Sequence, residues 1–197
     1  MEDRILEKAR EMFLNLGFKS VTMDDIANEL GISKKTIYKY YNNKQKLVDE
    51  ASKAVHEAWL AVVGGIKEQN FNPVKESFEI EKMSEEMFKN AKPSPLFQLK
   101  KYYPTTYAMV MEKEYVFFEE CIKDNLEKGI NKGYYRNGIN INNYAQFYFA
   151  LVFSVYEQED IDHQLEKDVL EYHIRAIATE KGIKELEKQI ETINQKE

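Results

Sequence analysis

Between positions 31 and 48 the sequence holds five lysines, Lys34, Lys35, Lys39, Lys44 and Lys46, and no acid. Among them stand Thr36 and the phenols Tyr38 and Tyr40, with Ser33 just before and Thr22 a short way upstream. These side chains share one chemistry. An ammonium neutralises a phosphate or donates to guanine acceptors, a threonine hydroxyl donates or accepts while its methyl meets thymine, and a phenol reaches a phosphate oxygen. The other reactive types are scattered. His56, His163 and His173 have no metal-ligand spacing, and Cys121, in a helical stretch near Phe117 and Phe118, reads as a small buried hydrophobe. No nucleophile elbow or phosphate-cradling glycine loop is present, so catalysis, a cofactor and a metal are not predicted.

Lysines on a short helix are also a common solvated face, so the elements that present them decide between the two readings. Ile5, Ala9 and Phe13, with Leu6, Met12 and Leu16, make one apolar face of a first helix that stops at Gly17. Thr22 followed three residues later by Asp25 has the pattern of a capping box, opening a short second helix with Ile26, Ala27 and Leu30 that ends at Gly31. Ser33 caps a third helix to about Tyr40, and Asn42 or Asn43 caps a long fourth one from about Lys44. Two helices joined by Leu30-Gly31-Ile32-Ser33 form a helix-turn-helix, with Ile32 and Ile37 anchored on Phe13 and Ile26. The third helix would enter the major groove, with Lys34, Lys35 and Thr36 on its first turn and Tyr38, Lys39 and Tyr40 along its flank. Lys44 stands where a helix start favours a phosphate.

The fourth helix runs toward Lys67, with Gly64-Gly65 as a soft point, because each glycine costs about 1 kcal/mol relative to alanine. Further helices are predicted over about 74–91, 96–103, 104–131, 144–158 and 162–181. Lys92-Pro93-Ser94-Pro95 and 133–143 read as connectors. The fold class is therefore all-α: a small N-terminal helix-turn-helix domain, 1–47, and a larger helical domain, 48–197.

With 197 residues, 43% hydrophobic and 31% charged, the composition is that of an ordinary globular protein. The net charge of −6 by itself argues against nucleic acid, yet residues 1–50 hold nine basic and nine acidic side chains, so the deficit lies beyond them. No run is apolar for long enough to span a bilayer. The start, Glu2-Asp3-Arg4 and then an amphipathic stretch, lacks a signal-peptide pattern. With Cys121 as the single cysteine, a reducing cytoplasm is the expected location and no membrane partner is expected.

Residues 5–47 resemble the DNA-binding domain of TetR-family regulators. The matching run is Ile5, Ala9, Phe13, Gly17-Phe18, Val21-Thr22-Met23, Asp25-Ile26-Ala27, Leu30-Gly31-Ile32-Ser33, Thr36-Ile37-Tyr38, Tyr40-Tyr41, Lys44 and Leu47. The family more often has phenylalanine at position 41 and often histidine at 40; both are tyrosine here. The resemblance implies a repressor that binds a palindromic double-stranded operator as a homodimer and leaves it when a small molecule binds. It assigns phosphate contacts to Thr22, Tyr38, Tyr40 and Lys44, and base reading to Lys34, Lys35, Thr36 and Lys39. A DNA-binding protein of this design with no small-molecule effector would have the same N-terminal residues.

Beyond this segment only 133–140, Gly-Tyr-Tyr-Arg with Ile139-Asn140, resembles a family feature, the connector before two last helices that pair with those of a second subunit. Tyr144, Phe147, Tyr148, Leu151 and Val155 form an apolar stripe there. Leu165, Val169, Tyr172, Ala176, Thr179, Ile183, Leu186, Ile190 and Ile193 follow a 4-3 seam spacing, with a bend or break expected near Gly182. Beyond 182 the tail fits packing on its own subunit as well as across a dimer. Fifteen of the chain's aromatic residues fall within 97–156. Phe88, Phe97, Tyr103, Tyr107, Met111, Phe118, Phe147 and Phe153 are the candidates to line a pocket for a mostly apolar effector. Plain core packing explains the same residues equally well.

Overall fold

The structure, a computed structural model, describes residues 1–91 and 94–195, leaving aside the side chain of Asn194. The part of the predicted connector at Lys92-Pro93 lies outside them. Among the described residues there are ten helices and no strand: α1 Glu2–Leu16, α2 Met23–Leu30, α3 Lys34–Tyr38, α4 Lys44–Glu68, α5 Pro73–Phe88, α6 Pro95–Tyr102, α7 Pro104–Asn131, α8 Ile141–Tyr156, α9 His163–Ile177 and α10 Glu180–Asn194. None of these helices is long and apolar enough to cross a membrane. The chain divides into two compact units.

The first unit comprises Met1–Ala61, the described part of Phe88–Glu114, and Tyr156–Ile161. Its core is the buried face of α1 (Ile5, Ala9, Met12, Phe13) against Ile26 and Ala27 of α2, Ile37 of α3, and Leu47, Val48 and Ala51 of α4. Leu16, expected on the apolar face of α1, is 58% exposed, because the chain leaves the helix one residue later. Phe18 stacks on Phe13 with ring centroids 5.2 Å apart. Leu99 of α6 completes this core, and Tyr103, Tyr107 and Val110 pack against it. At Gly17, φ is 92° and ψ 144°, so the helix stop is not the left-handed one expected. The Gln98 amide lies where a Cβ would sit and would have to shift for one, while the positive φ itself favours glycine.

The second unit comprises Val62–Met87, Tyr115–Val155 and the residues from Asp162 onward. Helix α4 continues unbroken through Gly64 and Gly65. Burial of Val63 and Ile66 on either side outweighs a propensity cost of about 2 kcal/mol for the pair. Helix α5 closes at Phe88, three residues before the expected end.

The final helical stretch also differs from expectation: it breaks at Ala178–Thr179 instead of Gly182. Residues 134–136 lie alongside the break, with Arg136 N–H donating to the Ile177 carbonyl at 2.8 Å and Thr179 N–H to the Tyr134 carbonyl at 2.9 Å. The Arg136 guanidinium donates to the Ala176 carbonyl, satisfying an orphan acceptor at the end of α9. Thr179 caps α10 by accepting from Gly182 N–H. Gly182 itself packs against the Tyr134 carbonyl, where a side chain would collide.

Candidate nucleic-acid interface

The turn between α2 and α3 is built by local chemistry. The Thr22 hydroxyl accepts from Asp25 N–H at 3.2 Å, and the Asp25 carboxylate accepts from Thr22 N–H at 2.8 Å, closing the capping box. The Thr22 hydroxyl, which donates to that carboxylate, and then the Thr22 N–H hold the Asp25 carboxyl below its usual range. At the other end of α2, Gly31 adopts φ 65° and ψ 33°. Gly31 N–H donates to Asn28 O and Ile32 N–H to Ala27 O, which is the bond pattern of a Schellman stop. Ser33 then caps α3, its hydroxyl accepting from Thr36 N–H at 3.1 Å and sharing a 2.8 Å bond with the Thr36 hydroxyl.

Helix α3 ends at Tyr38, two residues before the expected end, and a tighter turn follows in which Tyr40 N–H bonds Ile37 O. This turn brings Tyr41 into the core at 3% exposure and leaves Tyr38 and Tyr40 outside, 41% and 42% exposed. Ile37 is fully buried, so α3 is fixed by a single anchor while its polar face points outward. Burial pushes the Tyr41 phenol up to about 12.

Of the predicted contact residues, Ser33, Lys34, Lys35, Tyr38, Lys39 and Tyr40 are exposed and Thr36 is partly so. Lys35 and Lys39 carry no ion pair among the described residues. Lys34 is held by Asp24 of α2 at 2.6 Å, with both side chains about half exposed. Thr22 spends its hydroxyl proton on Asp25, at 2.7 Å. Asn43 is the cap of α4, its side-chain oxygen accepting from Lys46 N–H at 2.8 Å. Lys44, in the first turn of α4, donates to the Lys19 carbonyl at 3.1 Å. Burial lowers the Lys44 pKa, with Asp25 acting in the opposite direction. Thus α3, which has no acid of its own, follows one capped helix start, that of α2, and precedes another, that of α4.

The candidate pocket residues fall into two groups. In the first unit, Phe88 meets Tyr156 edge-on at 6.0 Å, and Phe97 lies under the Lys101 ammonium at 5.0 Å. Tyr103 donates to the Phe18 carbonyl at 3.3 Å, Tyr107 donates to Glu157, and Met111 is half-buried. In the second unit, Phe118 contacts Tyr148, Phe149 and Phe153 with centroids 5.5–5.8 Å apart. Phe147 points outward and is 59% exposed.

The residues weighed for catalysis sit in packed surroundings. His173 stacks on Tyr148 at 4.1 Å, and burial lowers its pKa to about 4. His56 pairs with Glu114 at 2.7 Å, and His163 lies 3.4 Å from Glu166. Burial raises the Cys121 pKa, which disfavours the nucleophilic thiolate. Among the described residues no group of three or more His, Cys, Asp or Glu is placed to hold a metal ion. Sequence reasoning missed Gln98 and Leu99, which brace α1 from α6; their pattern carries no local sign of that contact.

Residues 5–51 match the family model for bacterial regulatory proteins of the tetR family. The chain is 44% identical over 46 residues to the uncharacterized HTH-type transcriptional regulator YhgD of Bacillus subtilis, a stretch covering 23% of this chain and 24% of that protein. It is 34% identical over 47 residues to IcaR, the HTH-type negative transcriptional regulator of the biofilm operon icaADBC in Staphylococcus epidermidis, covering 24% and 25% of the two chains. Each of these relatives is thus matched over about a quarter of its own length. The fold is similar to that of a TetR-family transcriptional regulator from Agrobacterium tumefaciens, with TM-score 0.73, 17% identity, and coverage of 90% of this chain and 97% of that one.

Proposed function

From a TetR-family N-terminal domain at residues 5–51 and the all-α fold of such regulators, we propose that the protein is a cytoplasmic, dimeric transcriptional repressor that reads a palindromic operator through α3. In this division of labour residues 1–47 bind DNA, and 48–197 dimerise and bind an effector. The carrying observation is the exposed face of α3: Lys35, Thr36 and Lys39 present donors with no acid between them, on a helix whose entry is set by the Gly31 stop and the Ser33 cap. Lys34, Lys35, Thr36 and Lys39 contact base edges, while Ser33, Tyr38, Tyr40 and Lys44 hold phosphates; Thr22 joins them only by turning its hydroxyl proton from Asp25 to a phosphate. Repression is the direction stated in the name of the IcaR relative.

Dimerisation is supported by apolar side chains left exposed on α8 and α9, namely Phe147, Leu151, Leu165 and Tyr172, the last of them 66% exposed. A mostly apolar effector would enter by parting the rings of Phe118, Tyr148, Phe149 and Phe153, which pack on one another in the second unit. Ligand weakens DNA binding only by preferring the geometry that does not fit the operator.

Selection from random duplex pools tests the DNA reading. Wild-type protein is expected to recover a symmetric site, Lys35→Ala to change the preferred bases, and Tyr38→Ala to weaken all sequences alike. Recovery of no site overturns the reading. A thermal-shift screen tests the effector separately, since a bound ligand raises the melting temperature by mass action. If no compound shifts it, the protein acts on DNA without an effector.

A further inference from the structure

One lysine outside the helix-turn-helix adjoins a phosphate-holding candidate, and a second shares its aromatic neighbour. The Lys19 carbonyl accepts from the Lys44 ammonium, and the Lys19 ammonium lies 4.7 Å from the centre of the Tyr102 ring at the end of α6. The Lys101 ammonium lies 5.5 Å from the same ring. Lys19, Lys101 and Tyr102 are exposed, and neither lysine carries an ion pair among the described residues. Lys100 differs, because Glu157 holds it at 2.6 Å.

The other face of α6 fixes their position. Leu99 is buried in the helix-turn-helix core, Gln98 fills the space over Gly17, and Tyr103 bonds the Phe18 carbonyl. The lysines are therefore attached to the unit that carries α3 and are held near an aromatic face, which restrains each ammonium without neutralising it.

We propose that Lys19, Lys101 and Tyr102 form a ledge, continuous with Lys44, that grips the phosphates of duplex DNA beyond the bases read by α3. Two features select DNA as the occupant: the ledge abuts a proposed phosphate contact, and it presents two uncompensated cations beside one exposed tyrosine ring. The ledge rests on the helix-turn-helix reading. It adds affinity and length of footprint but no base preference, because phosphates carry no sequence information.

The test uses full-length protein and a mixed-sequence duplex of about 30 base pairs, with affinity followed by anisotropy as salt rises. Each lost phosphate contact should reduce the slope of log affinity against log salt by about 0.9. The double variant Lys19→Ala/Lys101→Ala is expected to lose close to 2 units of slope and roughly tenfold in affinity at about 0.1 M salt. Its melting temperature should be unchanged, and Lys19→Arg/Lys101→Arg should behave as wild type. If the alanine pair keeps the wild-type slope while Lys44→Ala lowers it, the ledge is overturned and the helix-turn-helix reading stands. If wild-type protein binds no duplex at all, both fall.

Discussion

The helix-turn-helix interior and the interior of the second unit are built on opposite terms. Around α1–α3 the buried positions are Ile5, Ala9, Phe13, Ile26, Ala27 and Ile37, and the polar bonds are made at the rim by Thr22, Asp25 and Ser33. In the second unit polar groups go inside. Tyr135, almost wholly buried, donates to Asn125 at 3.0 Å. Asn125 donates in turn to the Pro73 carbonyl and to Glu76, which also pairs with Lys128. Glu81 and Glu166 are buried as well, and one Glu81 oxygen has no hydrogen-bond partner. An apolar interior tolerates any surface laid over it, so DNA chemistry can be written on its outside. A polar interior ties each side chain to a particular partner, and a change there alters stability and titration.

The largest expected effects test that contrast directly. Phe13→Ala should cost about 3–5 kcal/mol by opening a cavity. Asn125→Ala should cost about 2–3 kcal/mol by a different route, stranding the Tyr135 hydroxyl and weakening the setting of Glu76. Urea denaturation measures both. An Asn125→Ala loss below about 1 kcal/mol would mean the network is not what holds these helices, since that is the worth of one ordinary bond.

A smaller effect concerns Glu81. Burial, foremost, and the neighbouring Glu166 and Glu85 raise its carboxyl pKa to about 7 from an ordinary 4.5, with Lys167 opposing. The folded state thus holds this proton more tightly than the unfolded chain does. The resulting stability is full below about pH 4.5 and lost as pH rises to about 7. Glu81→Gln has no proton to lose, so its melting temperature should gain on wild type throughout that window and hold the gain above it. A gap between the two that stays constant with pH would show that Glu81 titrates like a surface acid.

The contrast also explains what could be read without coordinates. Thr22, Asp25, Gly31 and Ser33 act on neighbours within five residues, so their caps and turn were legible. Leu99 and Gln98 were not, because they brace Phe13 and Gly17 across about eighty positions of sequence with no local periodicity to announce it. Periodicity identified Phe147 and Tyr148 as apolar but could not say that one faces outward and the other is buried. Thr179 looked wrong for a seam and proved to be a cap. Gly182 looked like a break and proved to be a close approach to the Tyr134 carbonyl, a contact made by a segment distant in sequence.

The smallest effect on stability asks whether the rim of the DNA-binding unit is only structural. Ser33→Ala removes the acceptor for Thr36 N–H and should cost about 1 kcal/mol; Ser33→Asp supplies another acceptor and should restore it. The Ser33 and Thr36 hydroxyls share a single bond at 2.8 Å, so one of their two protons remains available to an incoming phosphate. A carboxylate at position 33 has no proton to offer and repels that phosphate. Ser33→Asp should therefore recover the melting temperature yet bind duplex roughly tenfold more weakly than wild type, an electrostatic loss that shrinks as salt rises. If Ser33→Asp recovers stability and affinity together, Ser33 serves the helix alone, and the grip on DNA at this end of α3 belongs to its lysines.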